Sequence, residues 1–525
     1  MEKLRQALRL VDGNNGKGTF HGKRTLSYGD PPSPAAPAFS DAEIQHLKDS
    51  FQKADQGQVF AFWDELDYSQ KQTLLQSISQ IDPVRANEIF KATMKPNEEQ
   101  IESSGCLQPL PERVTASLLE SSQEEIDAWR TRGKNLIAQN KVAVVLLAGG
   151  QGTRLGSKDP KGCFNVGLAS SKSLFQLQAE RIHKIQQLAA TEFTGGKDSG
   201  VVVPWYIMTS GATHETTLQF FEDHSYFGLS RENVFLFKQG TLPCFSKDGK
   251  IFMEDKEVVS TAPDGNGGVY RALVASSVLS DMQKRGIQHV HMYCVDNCLG
   301  RVADPVFIGF SAEKGVDIAT KVVRKRAPNE SVGLVVLRNG KPAVAEYSEI
   351  DPVLCQEKDN EGRLRFRAAN IVNHYYSVRF LESVAEWHHT LPYHVAKKKI
   401  PHINPVNGKN VEPQEPNGVK LEQFVFDVFP RTALENFACL EVERQEEFSP
   451  LKNGRGTTGQ DDPDTGRRDI LSQGRRWLEA AGAIVTSEGS EKGVEVSPLL
   501  SYAGEGLEFL AGKEIRAPAV LDPVV

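Results

Sequence analysis

The sequence predicts an α/β protein built on a mostly parallel sheet, and three observations lead there. Residues 142–147, VAVVLL, form a short apolar run without charge, the pattern of a strand buried on both faces. Glycines at 149, 150, 152 and 156 follow at once, ahead of Leu174, Leu177, Ile185 and Leu188 on one helical face. Strand, glycine loop and helix in that order describe an anion site at the carboxyl end of a parallel strand. From residue 141 to about 430, strand-like and helix-like segments alternate, which with right-handed crossovers gives a parallel sheet.

Taken in order, residues 1–38 are expected to form a disordered extension. Asp12–Gly22 is polar and glycine-rich, and 30–38 reads DPPSPAAPA, too little apolar surface to offset chain entropy. Residues 39–140 read as a helical accessory domain. Ser40 and Glu43 match a capping box. Phe60, Trp63, Leu66, Leu74, Leu75 and Ile78 have helical spacing, and Ala116–Ala138 resumes it.

Residues 141–430 form the predicted catalytic core. Ser171 or Ser173 caps the helix after the glycine loop. Strands are expected at Val201–Met208, Val234–Phe237, Val290–Val295, Val316–Val323, Gly333–Leu337 and Ala343–Tyr347, with a helix over Gly268–Met282. Pro204 predicts an edge or irregular position for the first of these. Phe424 and Phe426 alternate and are read as sharing one strand face. Residues 431–525 read as a small mixed α/β domain, with a polar loop at 452–466 and a helix over Arg467–Ala481.

Lys plus Arg total 61 against 68 Asp plus Glu, a net charge of −7. That balance excludes general affinity for nucleic acid or acidic membranes, so any phosphate ligand requires a local cation cluster. The seven cysteines form no CxxC pair, which predicts reduced thiols and a cytoplasmic protein. No apolar run approaches the ~20 residues that cross a bilayer, and the start, MEKLRQALRLVDGNNGKG, lacks the apolar stretch of a secretory leader.

The glycine loop does not match the P-loop, and Leu155 stands where the dinucleotide fingerprint needs its third glycine. What it matches is L-x-x-G-x-G-T-x₆-P-K, from Leu147 through Gly150, Gly152 and Thr153 to Pro160 and Lys161. This resembles the signature of nucleotide-sugar pyrophosphorylases. Six further blocks extend the likeness: APDGNGGVYRAL at 262–273, YCVDN at 293–297, EYSE at 346–349, FVFDVF at 424–429, EFSPLKN at 447–453 and SPLLSYAGEGLE at 497–508. Together they resemble the eukaryotic UDP-N-acetylhexosamine pyrophosphorylase family. The short 482–496 region and the N-terminal extension point to its pyrophosphorylase-like branch.

The resemblance implies a Rossmann-like nucleotidyltransferase core. It also implies a reaction joining UTP and an N-acetylhexosamine 1-phosphate into UDP-GlcNAc or UDP-GalNAc and pyrophosphate, with Mg²⁺. It assigns Leu147, Ala148, Gly149, Gly150, Gln239, Gly265 and Asn266 to the nucleotide. Glu346, Tyr347 and Asn370 fall to the sugar hydroxyls, and Gly333, Phe424 and Phe426 to the N-acetyl arm. Asp296 falls to the metal. Arg154, Lys161 and Lys452 form the cationic field around the phosphates.

Physical chemistry agrees. A strand-end Asp with phosphate oxygens and waters suits Mg²⁺, and a Gln amide can pair with uracil as donor and acceptor. A sugar phosphate ionised at neutral pH needs positioning and charge neutralisation rather than a strong base. Two other readings stand beside this one. One is a non-catalytic nucleotide-sugar-binding scaffold. The other is a glycosyltransferase, for which Val295-Asp296-Asn297 lacks the D-x-D metal motif.

Overall fold

Leu146 and Leu147 end a strand that lies near the middle of a large sheet. The computed structural model describes residues 8–9, 39–94, 107–196, 200–457, 459–487 and 492–523. The central sheet has eleven described strands. They are β1 (Leu107–Gln108), β2 (Thr115–Ser117), β3 (Val142–Leu147), β4 (Trp205–Thr209), β5 (Val234–Lys238), β6 (His289–Cys294), β7 (Ile318–Arg324), β8 (Leu334–Arg338), β9 (Lys341–Ala345), β10 (Ala368–Ser377) and β11 (Phe437–Val442). The main order is β2-β11-β7-β10-β6-β3-β4-β5, with β8 joining β10, β9 and β1 beside it. Only the two pairings of β10 along that path are antiparallel; the other five are parallel.

Every residue of β3 is buried, and alternate side chains feed two different cores. Ala143, Val145 and Leu147 pack with Tyr206, Met208 and the helices Val269–Ala275 and Val378–Trp387. Val142, Val144 and Leu146 pack on the opposite face, against Phe175, Ala179 and Ile182 of the helix Leu174–Phe193. A strand covered on both sides has no polar face to show, which is why its sequence is uniformly apolar.

Ser173 caps that long helix by accepting a hydrogen bond from the Gln176 amide at 3.2 Å. The Ser40–Glu43 capping box is present. Leu66, Leu74, Leu75 and Ile78 pack against Phe245, Met253 and Leu421 of the core.

Several elements differ from the sequence reading. Pro204 precedes β4 rather than breaking it; its carbonyl accepts from Val144, and β4 lies fully buried between β3 and β5. Pro at the first position before a strand removes no ladder donor. The helix expected over Gly268–Met282 is two, Val269–Ala275 and Val278–Lys284, because Ser277 takes a left-handed conformation, φ 62°. Phe424 and Phe426 do not lie on a strand: Val425–Arg431 is a 3₁₀ segment, and the Val425 amide is taken by Asn266 Oδ1 at 2.9 Å instead of a neighbouring strand.

Sheet membership runs past residues 141–430, since β1 and β2 come from before it and β11 from after it. The chain beyond β11 forms the helix Pro463–Ala480, started by Asp462 rather than at 467, and two small sheets. Leu8–Arg9 pair with Val520–Leu521; the rest of the expected 1–38 extension lies outside the described residues. Among the described residues no helix is long and apolar enough to cross a membrane.

Candidate active site

The carboxyl ends of β3 and β6 lie side by side, since these strands are parallel neighbours, and the predicted residues gather there. Leu147 and Ala148 are buried, and the Ala148 amide still pairs with Met208 at 2.8 Å. The loop beyond closes on itself: the Lys161 amide donates to the Gly150 carbonyl at 3.1 Å and Gly152 to Asp159 at 2.9 Å. Gly150 faces open space, with no atom within 4 Å of where a Cβ would stand. At Gly149 a Cβ would lie 2.2 Å from Gln239 Oε1, so the glutamine rests directly on the loop backbone.

Gln239 follows β5 and is buried. Its Nε2 donates to Asp264 Oδ1 at 3.3 Å and to the Gly265 carbonyl at 3.2 Å. Gly265 has φ 87°, and a Cβ there would meet the Gln423 carbonyl at 2.3 Å. Only glycine meets both conditions at low cost. Gly267 donates to Gln423 at 2.9 Å, and Asn266 holds Val425, so Gln239, Gly265 and Asn266 form one hydrogen-bonded floor beside the glycine loop.

Asp264, beneath that floor, was not singled out by sequence. Burial raises its carboxyl to about 7, against the opposing pull of Arg271 and the Gln239 hydrogen bond. Between about pH 4, the value in an unfolded chain, and about 7, the fold keeps this proton and the unfolded chain loses it. Stability therefore declines as pH rises through that window. Asp264→Asn is expected to flatten the decline, read as urea midpoints at about pH 5 and about pH 7.5. An unchanged pH slope would assign the proton elsewhere.

At the end of β6, Asp296 and Lys161 meet. Lys161 Nζ lies 3.5 Å from Asp296 Oδ2 and donates to the Leu451 carbonyl at 3.0 Å. The segment before Lys452 is sewn to the same turn. Leu451 donates to the Asp296 carbonyl at 2.9 Å, Cys298 to Ser449 at 2.9 Å, and Ser449 to Asn297 Oδ1 at 2.9 Å. Asn297 Nδ2 returns a bond to Glu447 at 2.7 Å.

Lys452 thus emerges beside Asp296 with an exposed side chain. Its charge reaches two groups. Cys294 is pushed up by burial and by Asp296, while Lys161 and Lys452 pull it down. Glu346 is raised by burial and by Glu349, and Lys452 and His394 oppose the rise. Arg154 is exposed, and its carbonyl would lie 2.5 Å from a Cβ on Gly454. The two loops that carry the outer cations therefore touch.

Behind this turn is an ionic cluster that sequence reading missed. Lys321 is fully buried and pairs with Asp304 and Glu447, and Arg301 reaches Glu447 from the other side. Loss of one partner from such a buried group costs roughly 3–5 kcal/mol, so Glu447 anchors the 447–452 segment firmly. The available signal was a lysine inside the apolar strand sequence IATKVVR at 318–324.

Of the residues assigned to sugar, Gly333, Glu346 and Asn370 lie together, and Phe424 and Phe426 pair with each other. Asn370 donates its amide to the Gly333 carbonyl at 2.9 Å, and a Cβ on Gly333 would lie 2.9 Å from Glu346 Oε1. The space over Gly333 is thus occupied by the Glu346 carboxylate. Asn370 Oδ1 accepts from Val372 at 3.0 Å. Tyr347 is 56% exposed. The Phe424 and Phe426 rings are 5.2 Å apart.

Sequence reading also passed over His394, whose ring stacks on Phe424 at 4.5 Å and whose Nε2 lies 3.0 Å from Asp427 Oδ1. Burial pulls this imidazole down, but Asp427, Glu349 and Glu346 outweigh it and the net shift is upward.

A family model described as UTP–glucose-1-phosphate uridylyltransferase matches residues 87–459. The chain is 48% identical to UDP-N-acetylglucosamine pyrophosphorylase of Saccharomyces cerevisiae, over 89% of this chain and 97% of that protein. It is 43% identical to the human UDP-N-acetylhexosamine pyrophosphorylase-like protein 1, over 92% and 97%. Among solved structures, the uridine diphosphate N-acetylglucosamine pyrophosphorylase of Trypanosoma brucei, in complex with an inhibitor, superposes with a TM-score of 0.75 at 31% identity, covering 90% of this chain and 95% of that one.

Proposed function

The chain belongs to the UTP–glucose-1-phosphate uridylyltransferase family, and from that premise we propose that it makes a UDP-N-acetylhexosamine and pyrophosphate from UTP and an N-acetylhexosamine 1-phosphate. One observation carries the reading. Lys161, Asp296 and the base of Lys452 converge at one strand end, with Lys161 bonded to Gly150 and the Lys452 charge acting on Glu346.

Gly150, Gln239, Gly265 and Asn266 hold the nucleotide, with Leu147, Ala148 and Gly149 shaping the loop beneath it. With Nε2 committed to Asp264 and Gly265, Gln239 offers its Oε1 as the acceptor for a uracil N–H. Glu346 and Asn370 accept and donate to sugar hydroxyls, with Tyr347 at the rim, and Phe424 and Phe426 pack against the acetyl arm. A phosphate oxygen of the sugar attacks the α-phosphorus of UTP in line, and the bond to the leaving pyrophosphate breaks. Lys161, Lys452 and Arg154 stabilise the charge that spreads over these oxygens. No side chain need remove a proton, because the attacking phosphate is already ionised.

Asp296 is the residue that would hold a divalent ion. It stands alone: among the described residues no three His, Cys, Asp or Glu side chains form a ligand group. One carboxylate fits Mg²⁺, which completes its shell with waters and substrate phosphates. When bound, the ion supplies charge neutralisation on the phosphates. The six described cysteines are free thiols, which supports work in a reducing cytoplasm.

The decisive experiment is pyrophosphate release from UTP and N-acetylglucosamine 1-phosphate with Mg²⁺. Release that needs all three components supports the reading; none from folded, nucleotide-binding protein overturns it. A narrower test uses Gly333→Ala. Because the new methyl meets Glu346 first, KM is expected to rise for N-acetylglucosamine 1-phosphate and glucose 1-phosphate alike, by about tenfold on one lost charge-assisted contact. A selective loss of the acetylated sugar would instead put the acetyl arm over Gly333.

A further inference from the structure

His394 stands at the head of the strand His394–Lys398, which pairs with Gly418–Glu422. It joins three things at once. Its Nε2 meets both Asp427 oxygens, at 3.0 and 3.1 Å. Asp427 Oδ2 also accepts the Phe424 amide at 2.7 Å. The imidazole face lies on the Phe424 ring, 27° from parallel. Phe424 is therefore gripped through its backbone by Asp427 and through its ring by His394. Its ring also packs on Phe426, 5.2 Å away, and the Glu346 carboxylate is near enough to act on the His394 charge.

We infer that His394 is a positioning residue for the sugar phosphate: with Asp427 it fixes Phe424, and through it the Phe424–Phe426 pair. This rests on the reading of Glu346, Asn370 and the Phe424–Phe426 pair as the sugar site. His394 does not touch the reacting phosphates in this arrangement, so it sets where the sugar sits rather than the chemical step.

The charges around it favour the proton. Asp427 lies on the 3₁₀ segment, Glu346 and Glu349 come from the chain after β9, and Glu422 stands opposite in strand register. Lys397 and Lys398 follow on its own strand, and what opposes the proton at His394 is burial. With the proton, the contact to Asp427 is charge-assisted and the stack on Phe424 gains a cation–π component. Without it, both weaken while the shape of the Phe424–Phe426 pair stays the same.

The experiment follows KM for N-acetylglucosamine 1-phosphate, KM for UTP and kcat from about pH 7 to about pH 9, a range in which the phosphate substrate is already a dianion. In the unaltered protein, the sugar-phosphate KM is expected to rise about threefold to tenfold across the range, the scale of one charge-assisted contact, while the KM for UTP stays flat. His394→Gln keeps a donor toward Asp427 but has neither ring nor charge. Its sugar-phosphate KM is expected to be high and insensitive to pH, with kcat within about twofold. His394→Phe, which keeps only the stack, should fall between.

A flat sugar-phosphate KM in the unaltered protein overturns the inference, and needs no variant to fold. So does a His394→Gln profile that keeps the original slope, or an equal loss in both KM values. Glu346→Gln, measured alongside, separates the two claims. If it raises the sugar-phosphate KM and His394→Gln does not, the role of His394 falls and the sugar site stands. If neither variant moves it, both fall.

Discussion

Asp296→Ala is expected to abolish turnover at ordinary Mg²⁺ concentrations and leave the fold intact. The carboxylate is the one acidic side chain at the end of β6, and its described side-chain contact is Lys161 at 3.5 Å. The bond that Asp296 gives to the structure runs through its carbonyl, which accepts from Leu451 at 2.9 Å and survives the substitution. Removal therefore takes away the negative charge proposed to hold a cation and costs little packing. It also frees Lys161, which would then pair with the phosphates without competition and could tighten UTP binding even as turnover is lost. Mg²⁺ titration separates the roles: Asp296→Asn should regain activity only at much higher Mg²⁺, because an amide oxygen is a weaker ligand for a hard cation. A purified alanine variant with near-parental turnover would remove Asp296 from the metal site.

Lys452→Ala is expected to lower kcat by about ten- to a hundredfold, from one charge-assisted contact of about 1.5–3 kcal/mol at ~1.4 kcal/mol per decade of rate. UTP affinity should fall less than kcat, since the contact strengthens as charge shifts in the transition state. The melting temperature should not change. The side chain is exposed, and the anchoring of this segment lies in the backbone bond from Lys452 to Asp461 at 2.7 Å and in buried Glu447. Lys452→Arg should not restore the rate, because a planar fork does not place its charge where an ammonium does. An unchanged kcat in the alanine variant would return Lys452 to the surface and leave the phosphates to Lys161 and Arg154.

The site was legible in proportion to how local each part is. The glycine loop could be read because strand, loop and helix follow one another within one stretch of chain. Its closure, Lys161 to Gly150, spans few residues. Asp296 was legible because it sits one residue beyond an apolar run. His394 was not, because the residues that give it meaning come from two other segments, Phe424 and Asp427 from one and Glu346 from another. The Lys321–Asp304–Glu447 cluster was hidden for the same reason: Lys321 stands out inside an apolar run, but nothing local names Asp304 and Glu447 as its partners.

Strand β10 marks the same boundary. Its sequence, AANIVNHYYS, mixes Asn and His with apolar residues and shows no clean alternation. It is buried because β6 and β7 flank it on both edges. His291 of β6 answers its Asn373 at 2.6 Å, so that amide is satisfied by a neighbour distant in sequence. The early reading of Phe424 and Phe426 as a strand face failed in the corresponding way: alternation was real, but Asn266 had already taken the Val425 amide.

The α/β class, the buried central strand, the glycine loop and the helix that follows were determined by the sequence itself, because apolar periodicity and glycine placement act over a few residues of chain. The pairing of Lys161 with Asp296, the delivery of Lys452 by a segment some 150 residues further on, and the grip of His394 on Phe424 were decided only by tertiary structure. Their energies depend on distances between segments that the chain brings together only once the sheet has formed.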